Sequence, residues 1–85
     1  MARKQLPAPQ DDYDRALTTC DLLIMLNSQI AEEWRDRGLI HLQLKRYSRA
    51  IKDLKVYTEL ASEASDRYEI LNYIKMARQM LAMLN

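Results

Sequence analysis

Apolar residues recur three and four positions apart along four separate stretches of the chain, and they alternate nowhere for more than a few residues. Helices are expected and strands are not. The first stripe is Tyr13, Ala16, Leu17, Cys20, Leu23 and Ile24, which predicts a helix over about residues 12–26. Asp11 and Asp12 are positioned to cap it and to place negative charge in its first turn. Asn27-Ser28 ends it, and Ser28 is expected to cap a second helix over about residues 30–44. The third helix is predicted over about residues 47–61, with Tyr47, Ala50, Ile51, Leu54 and Tyr57 inward. Ser65-Asp66 is expected to cap the fourth, over about residues 66–84, with Ile70, Tyr73, Ile74, Ala77, Leu81 and Leu84 as its stripe. Pro7 and Pro9 each lack a backbone N–H, so residues 1–11 read as an irregular segment ahead of a helical domain over 12–85.

The only glycine, Gly38, lies in the middle of the second helix, where it costs about 1 kcal/mol relative to Ala. Such a glycine marks close helix–helix approach. Ala50 is its expected neighbour, with Trp34 largely buried near Tyr57.

The chain is also self-similar. Displaced by 34 residues, Tyr13 falls on Tyr47, Arg15 on Arg49, Ala16 on Ala50, Leu26 on Leu60, and Ser28 on Ser62. Trp34 likewise falls on Tyr68 and Ile40 on Ile74. With Trp34 and Gly38 four apart and Tyr47, Ala50, Leu54 and Tyr57 following, this resembles the tetratricopeptide (TPR) repeat, a helix–turn–helix unit of 34 residues. The resemblance implies an all-α fold of TPR-like antiparallel helix pairs, about 1.5 repeats, closed by a long C-terminal capping helix. It makes Tyr13, Ala16, Cys20, Trp34 and Gly38 core positions, together with Tyr47, Ala50, Leu54, Tyr57 and Tyr68. Four features depart from the family pattern: Arg37 in place of Leu, His41 in place of an aromatic, Lys45 where a helix-ending Gly is common, and Ser28 and Ser62 in place of Pro.

A narrower resemblance rests on the run Trp34-Arg35-Asp36-Arg37-Gly38-Leu39-Ile40, then Tyr47, then Asp53-Leu54-Lys55-Val56-Tyr57. It is similar to the C-terminal repeats of SirB-type bacterial proteins, which join a transglutaminase-like domain to a short TPR tail. That implies a non-catalytic interaction module, the tail of such a protein. The frame encoded just upstream of Met1 is the observation that decides it.

Composition narrows the rest. At 85 residues and 48% hydrophobic, the chain is one small domain. It buries only about 60% of its unfolded surface. The net charge of +1 gives no global field toward nucleic acid. A single cysteine excludes an internal disulfide and fits a reducing, cytoplasmic setting. No signal-peptide core is present, and the longest apolar run, Leu22 to Leu26, is far too short to span a bilayer.

No cofactor or metal is expected. His41 is the only histidine and Cys20 the only thiol, on different helices. They read as packing residues rather than a nucleophile–base pair. Trp34 and Tyr68 read as core rather than a stacking platform. The basic stretch Lys45, Arg46, Arg49, Lys52 and Lys55 has no aromatic interleaving, so it reads as a solvated helix face. Binding of nucleic acid or an acidic partner there is the alternative function. Arg37 either snorkels past the core or bonds a carboxylate such as Asp53.

Protein partners fit two surfaces. The concave side of a TPR is lined by its first helices, here Glu32, Arg35, Leu39, Leu42 and Gln43. A carboxylate clamp does not fit, because Leu39 replaces its Asn. The second surface is the first helix. Its stripe Tyr13, Leu17, Cys20 and Leu23 has no first-helix mate, and the second helix is expected to cover only Leu22, Leu26 and Ile30. Leu6 and the proline segment are a partial cover. An upstream domain, a second copy as in a homodimer, or another chain is the expected occupant.

Overall fold

The computed structural model describes residues 9–84. Four helices follow one another: α1 (Pro9–Leu26), α2 (Ala31–Gln43), α3 (Tyr47–Leu60) and α4 (Arg67–Met83). No strand occurs among the described residues. Each helix packs on the next through a short connection, which gives the antiparallel helix pairs of the repeat.

The core lies where α2, α3 and α4 meet. Leu54, Tyr57, Ile70 and Ile74 are buried there, with Ala31 closing one end. Trp34, Leu39, Ile51, Leu71 and Tyr73 pack around it, half-buried. Trp34 is thus less enclosed than expected. Its indole N–H donates to the Ser28 carbonyl at 2.9 Å, which holds the polar edge of the ring at the surface. Leu84, placed in the α4 stripe, is exposed beyond the helix end.

Several ends differ from the sequence expectation. α1 begins at Pro9, ahead of the two aspartates, which lie in its first turn. Proline is tolerated at a helix start, because its missing N–H would have had no intrahelical partner. The irregular reading of residues 1–8, and the covering role of Leu6, concern residues outside those described. Ser28 does not cap α2; Ile30 occupies the N-cap with no side-chain hydrogen bond. Asp66 is the N-cap of α4, but its side chain makes no capping bond. Its carboxylate is taken by Arg35 and the Tyr57 hydroxyl.

The α2–α3 turn carries the one positive φ among the described residues, Lys45 at 60°. Lys45 N–H donates to the Leu42 carbonyl and Arg46 N–H to the His41 carbonyl, at 3.0 and 2.8 Å. This is the Schellman ending, which favours glycine at the left-handed position. Lysine accepts that conformation at a steric cost.

Gly38 faces Leu54 and Asp53, not Ala50. A Cβ there would lie 2.7 Å from Leu54 Cδ2 and 3.2 Å from Asp53 Cβ. The crossing point is one helical turn further along α3 than the sequence suggests.

Candidate functional site: two grooves beside the second helix

One side of α2 is flanked by two grooves. The first, of about 480 Å³, runs between α2 and α4. It gathers Arg35, Leu39, Leu42 and Gln43, four of the five residues expected on the concave side; the exposed Glu32 does not line it. Facing them are Ile70, Tyr73, Asp66 and Glu69, which the sequence reading did not assign to a site. The 34-residue period held the signal, since it maps Arg35 onto Glu69 and Leu39 onto Tyr73. Polar groups here are largely committed to one another. Arg35 bonds Asp36 at 3.2 Å and Asp66 at 3.4 Å, with its guanidinium 5.5 Å from the Tyr57 ring centre. Tyr73 donates its hydroxyl to Glu69 at 2.9 Å.

The second groove, of about 510 Å³, runs between α1 and α2. Ala16, Thr19 and Cys20 form one wall; Glu33, Asp36, Leu39 and Ile40 form the other. Asp36 and Leu39 belong to both grooves.

The repeat explains why this groove has its shape. Ala16, Thr19 and Cys20 of α1 correspond, 34 residues on, to Ala50, Asp53 and Leu54 of α3. Those three are buried, with Leu54 at 0% exposure and next to Gly38 of α2. In α1 the equivalent Thr19 is exposed and Ala16 half-buried. The opposite wall repeats as well, because Leu39 and Ile40 map onto Tyr73 and Ile74 of α4. A helix laid in the α1–α2 groove would therefore touch α1 and α2 as α2 touches α3 and α4.

The expected exposure of α1 is corrected by its packing. Leu17 and Cys20 are buried, and Tyr13, Ala16 and Ile24 half-buried, because this stripe packs on α2. Leu23 lies at its rim, 37% exposed. The residues expected under α2 face away instead: Leu22, Leu26 and Ile30 are exposed, Leu26 by 82%.

At the other end, Tyr68 is not a core residue. It is 82% exposed on the outer face of α4. Gly38 and His41, buried in α2, have Asn72 and Lys75 as their exposed equivalents in α4. Polar side chains thus stand at two positions where a further helix would pack, beside exposed Tyr68 and Met76 on the same face.

Cys20 and His41 are not brought together. Cys20 lines the α1–α2 groove, and burial pushes its thiol pKa up, reinforced by Glu33 and Asp36. That is the reverse of an activated nucleophile. His41 lies in a cleft on the other side of α2, where desolvation lowers its pKa and keeps it neutral. Arg37, the departure from the apolar pattern, reaches from α2 to both α1 and α3. Its Nε and Nη2 donate to the two Asp53 oxygens at 2.8 and 2.9 Å, and its Nη1 to Asp21 at 2.9 Å. These bonds hold the guanidinium well above its ordinary pKa. No described helix is long and apolar enough to cross a membrane.

A family model described as a tetratricopeptide repeat matches residues 4–75. Over 53 residues the chain is 43% identical to a curated relative, a UPF0162 protein of Xylella fastidiosa strain Temecula1. That match covers 62% of this chain and 19% of the relative, so the chain corresponds to a minor part of the longer protein. No solved structure matches the chain.

Proposed function

Because this chain belongs to the tetratricopeptide repeat family, we propose that it is a protein-interaction module that seats one helix of a partner protein in the groove between α1 and α2. Repeats of this family are generally non-catalytic scaffolds, and the work assigned here is docking. The observation that carries the reading is the contrast between the two ends. The α1 side offers a groove in which Ala16, Cys20, Leu39 and Ile40 are joined at the walls by Thr19, Glu33 and Asp36. On the outer face of α4 the equivalents of Gly38 and His41 are the exposed, polar Asn72 and Lys75, and Tyr68 and Met76 stand exposed beside them with no groove between two helices.

In the finer form of this reading, the chain is the C-terminal part of a SirB-type transglutaminase-like/TPR bacterial protein, and the seated helix belongs to the domain before it. Support comes from the Trp34–Ile40 and Asp53–Tyr57 runs and from the greater length of the relative. A cytoplasmic location agrees with the single, unpaired thiol.

The test uses the domain encoded immediately upstream, expressed separately and titrated against this chain by calorimetry. Saturable binding is expected, lost in Thr19→Arg with helix content unchanged and weakened in Leu39→Ala. The absence of such a domain, or binding indifferent to both substitutions, would contradict the tail reading. A homodimer in sedimentation that Thr19→Arg dissolves would assign the groove to a second copy instead.

A further inference from the structure

A third opening lies on the other side of α2, between α1 and α3. It is a cleft of about 360 Å³ with Leu17 at one wall. Four cations line it, Arg37, Arg46, Arg49 and Lys52, against two carboxylates, Asp21 and Asp53. Arg37 takes both carboxylates. Arg46, Arg49 and Lys52 form no ion pair among the described residues. With His41 neutral, the cleft holds a surplus of two positive charges.

These cations are gathered where they are least welcome. Arg46 is the N-cap of α3 and Arg49 lies in its first turn, with no acidic residue in that turn and no side-chain cap. The N-terminal end of a helix is already positive, so the cluster opposes the helix dipole. Local conflict of this kind is expected at functional or strained positions. His41 lines the same cleft; its side chain is 10% exposed and its Nδ1 is buried without a hydrogen-bond partner.

We propose that this cleft binds a phosphate monoester dianion. A dianion matches the charge surplus, and guanidinium groups match its oxygens in geometry. The cleft volume suits a phosphoryl group with a small attached moiety. A nucleic-acid strand is a poorer fit, because no Phe, Tyr or Trp side chain lines the cleft for bases to stack on.

The experiment is a titration of the isotope-labelled chain with O-phosphoserine, followed in two-dimensional amide spectra, with serine in sodium chloride at matched ionic strength as control. Inorganic phosphate and a single-stranded oligothymidine form two further arms. Saturable shifts confined to His41 and the Arg46–Asp53 segment are expected with phosphoserine and phosphate. Arg49→Ala/Lys52→Ala, both exposed positions, should weaken binding by about tenfold or more with unchanged circular dichroism. The proposal is overturned by shifts that the chloride control reproduces, by equal binding of the double variant, or by oligothymidine binding along the whole Lys45–Lys55 face more tightly than the monoester.

Discussion

Arg37 and Asp53 face each other across the α2–α3 contact as a two-pronged pair, with both Asp53 oxygens bonded at 2.8 and 2.9 Å. The Asp53 side chain is only 5% exposed, and Arg37 is the group that neutralises it. A second carboxylate, Asp21 of α1, bonds the same guanidinium. One side chain at a position usually apolar thus ties three helices together.

Removing one partner leaves a buried charge alone. Arg37→Leu should destabilise the fold by about 3 kcal/mol in urea titration, since breaking a buried pair from one side costs that much. The double variant Arg37→Leu/Asp53→Leu should recover most of the loss, because an apolar pair of similar volume carries no desolvation penalty. Equal stability of the two variants would mean the pair matters only as packing.

Gly38→Ala should also destabilise, by about 1–3 kcal/mol. The added Cβ would sit 2.8 Å from Leu54 Cγ, the branch point of a fully buried side chain. The gain in helix propensity, about 1 kcal/mol, works in the opposite direction. A raised melting temperature would show that α2 and α3 separate easily.

Gly38 illustrates what the sequence makes legible. A lone glycine within a helical stripe announces close approach, yet the approach is to Leu54 rather than Ala50, because crossing register depends on how both helix surfaces interlock. The four helices and the core residues Leu54, Tyr57, Ile70 and Ile74 follow from spacing. Helix starts do not follow so readily, since Pro9 is already helical, Ile30 precedes α2 without a side-chain cap, and Asp66 is drawn to Tyr57 and Arg35. The groove residues Leu39, Leu42 and Gln43 are legible through the repeat, whereas the outer face of α1 is not the one the stripe suggests. Its helical period places Leu17 and Leu22 on different sides but does not state which side meets α2. Tyr68 shows the limit of reading by correspondence: it repeats Trp34 in sequence and lies in solvent.

Lys45→Gly should stabilise the protein by about 1 kcal/mol, read as a higher urea midpoint at unchanged slope. Lys45 holds φ at 60° in the Schellman turn, a conformation glycine adopts without a Cβ clash. The greater freedom of glycine in the unfolded chain reduces the gain but should not reverse it. Lys45→Ala should bring no comparable benefit.

His41 predicts a pH dependence with a definite sign. Burial lowers its folded pKa below the ordinary 6.5, so the unfolded chain binds the proton more readily. Stability should therefore be full above pH 6.5 and fall as the pH drops from there toward the folded value. The chain has no other histidine, so His41→Gln should flatten melting temperatures between about pH 7 and pH 5.5. A wild-type midpoint that rises on acidification across that range would contradict the buried, neutral state.

The central claim is that the α1 side of the repeat is a seat for a helix, and the most direct measurement is where a bound partner lies. Amide spectra of the labelled chain, titrated with the separately expressed upstream domain, should show shifts concentrated at Ala16, Thr19, Cys20, Leu39 and Ile40. Thr19→Arg should abolish them. Shifts centred instead on Tyr68, Asn72 and Lys75, or none at saturating concentration, would contradict the account.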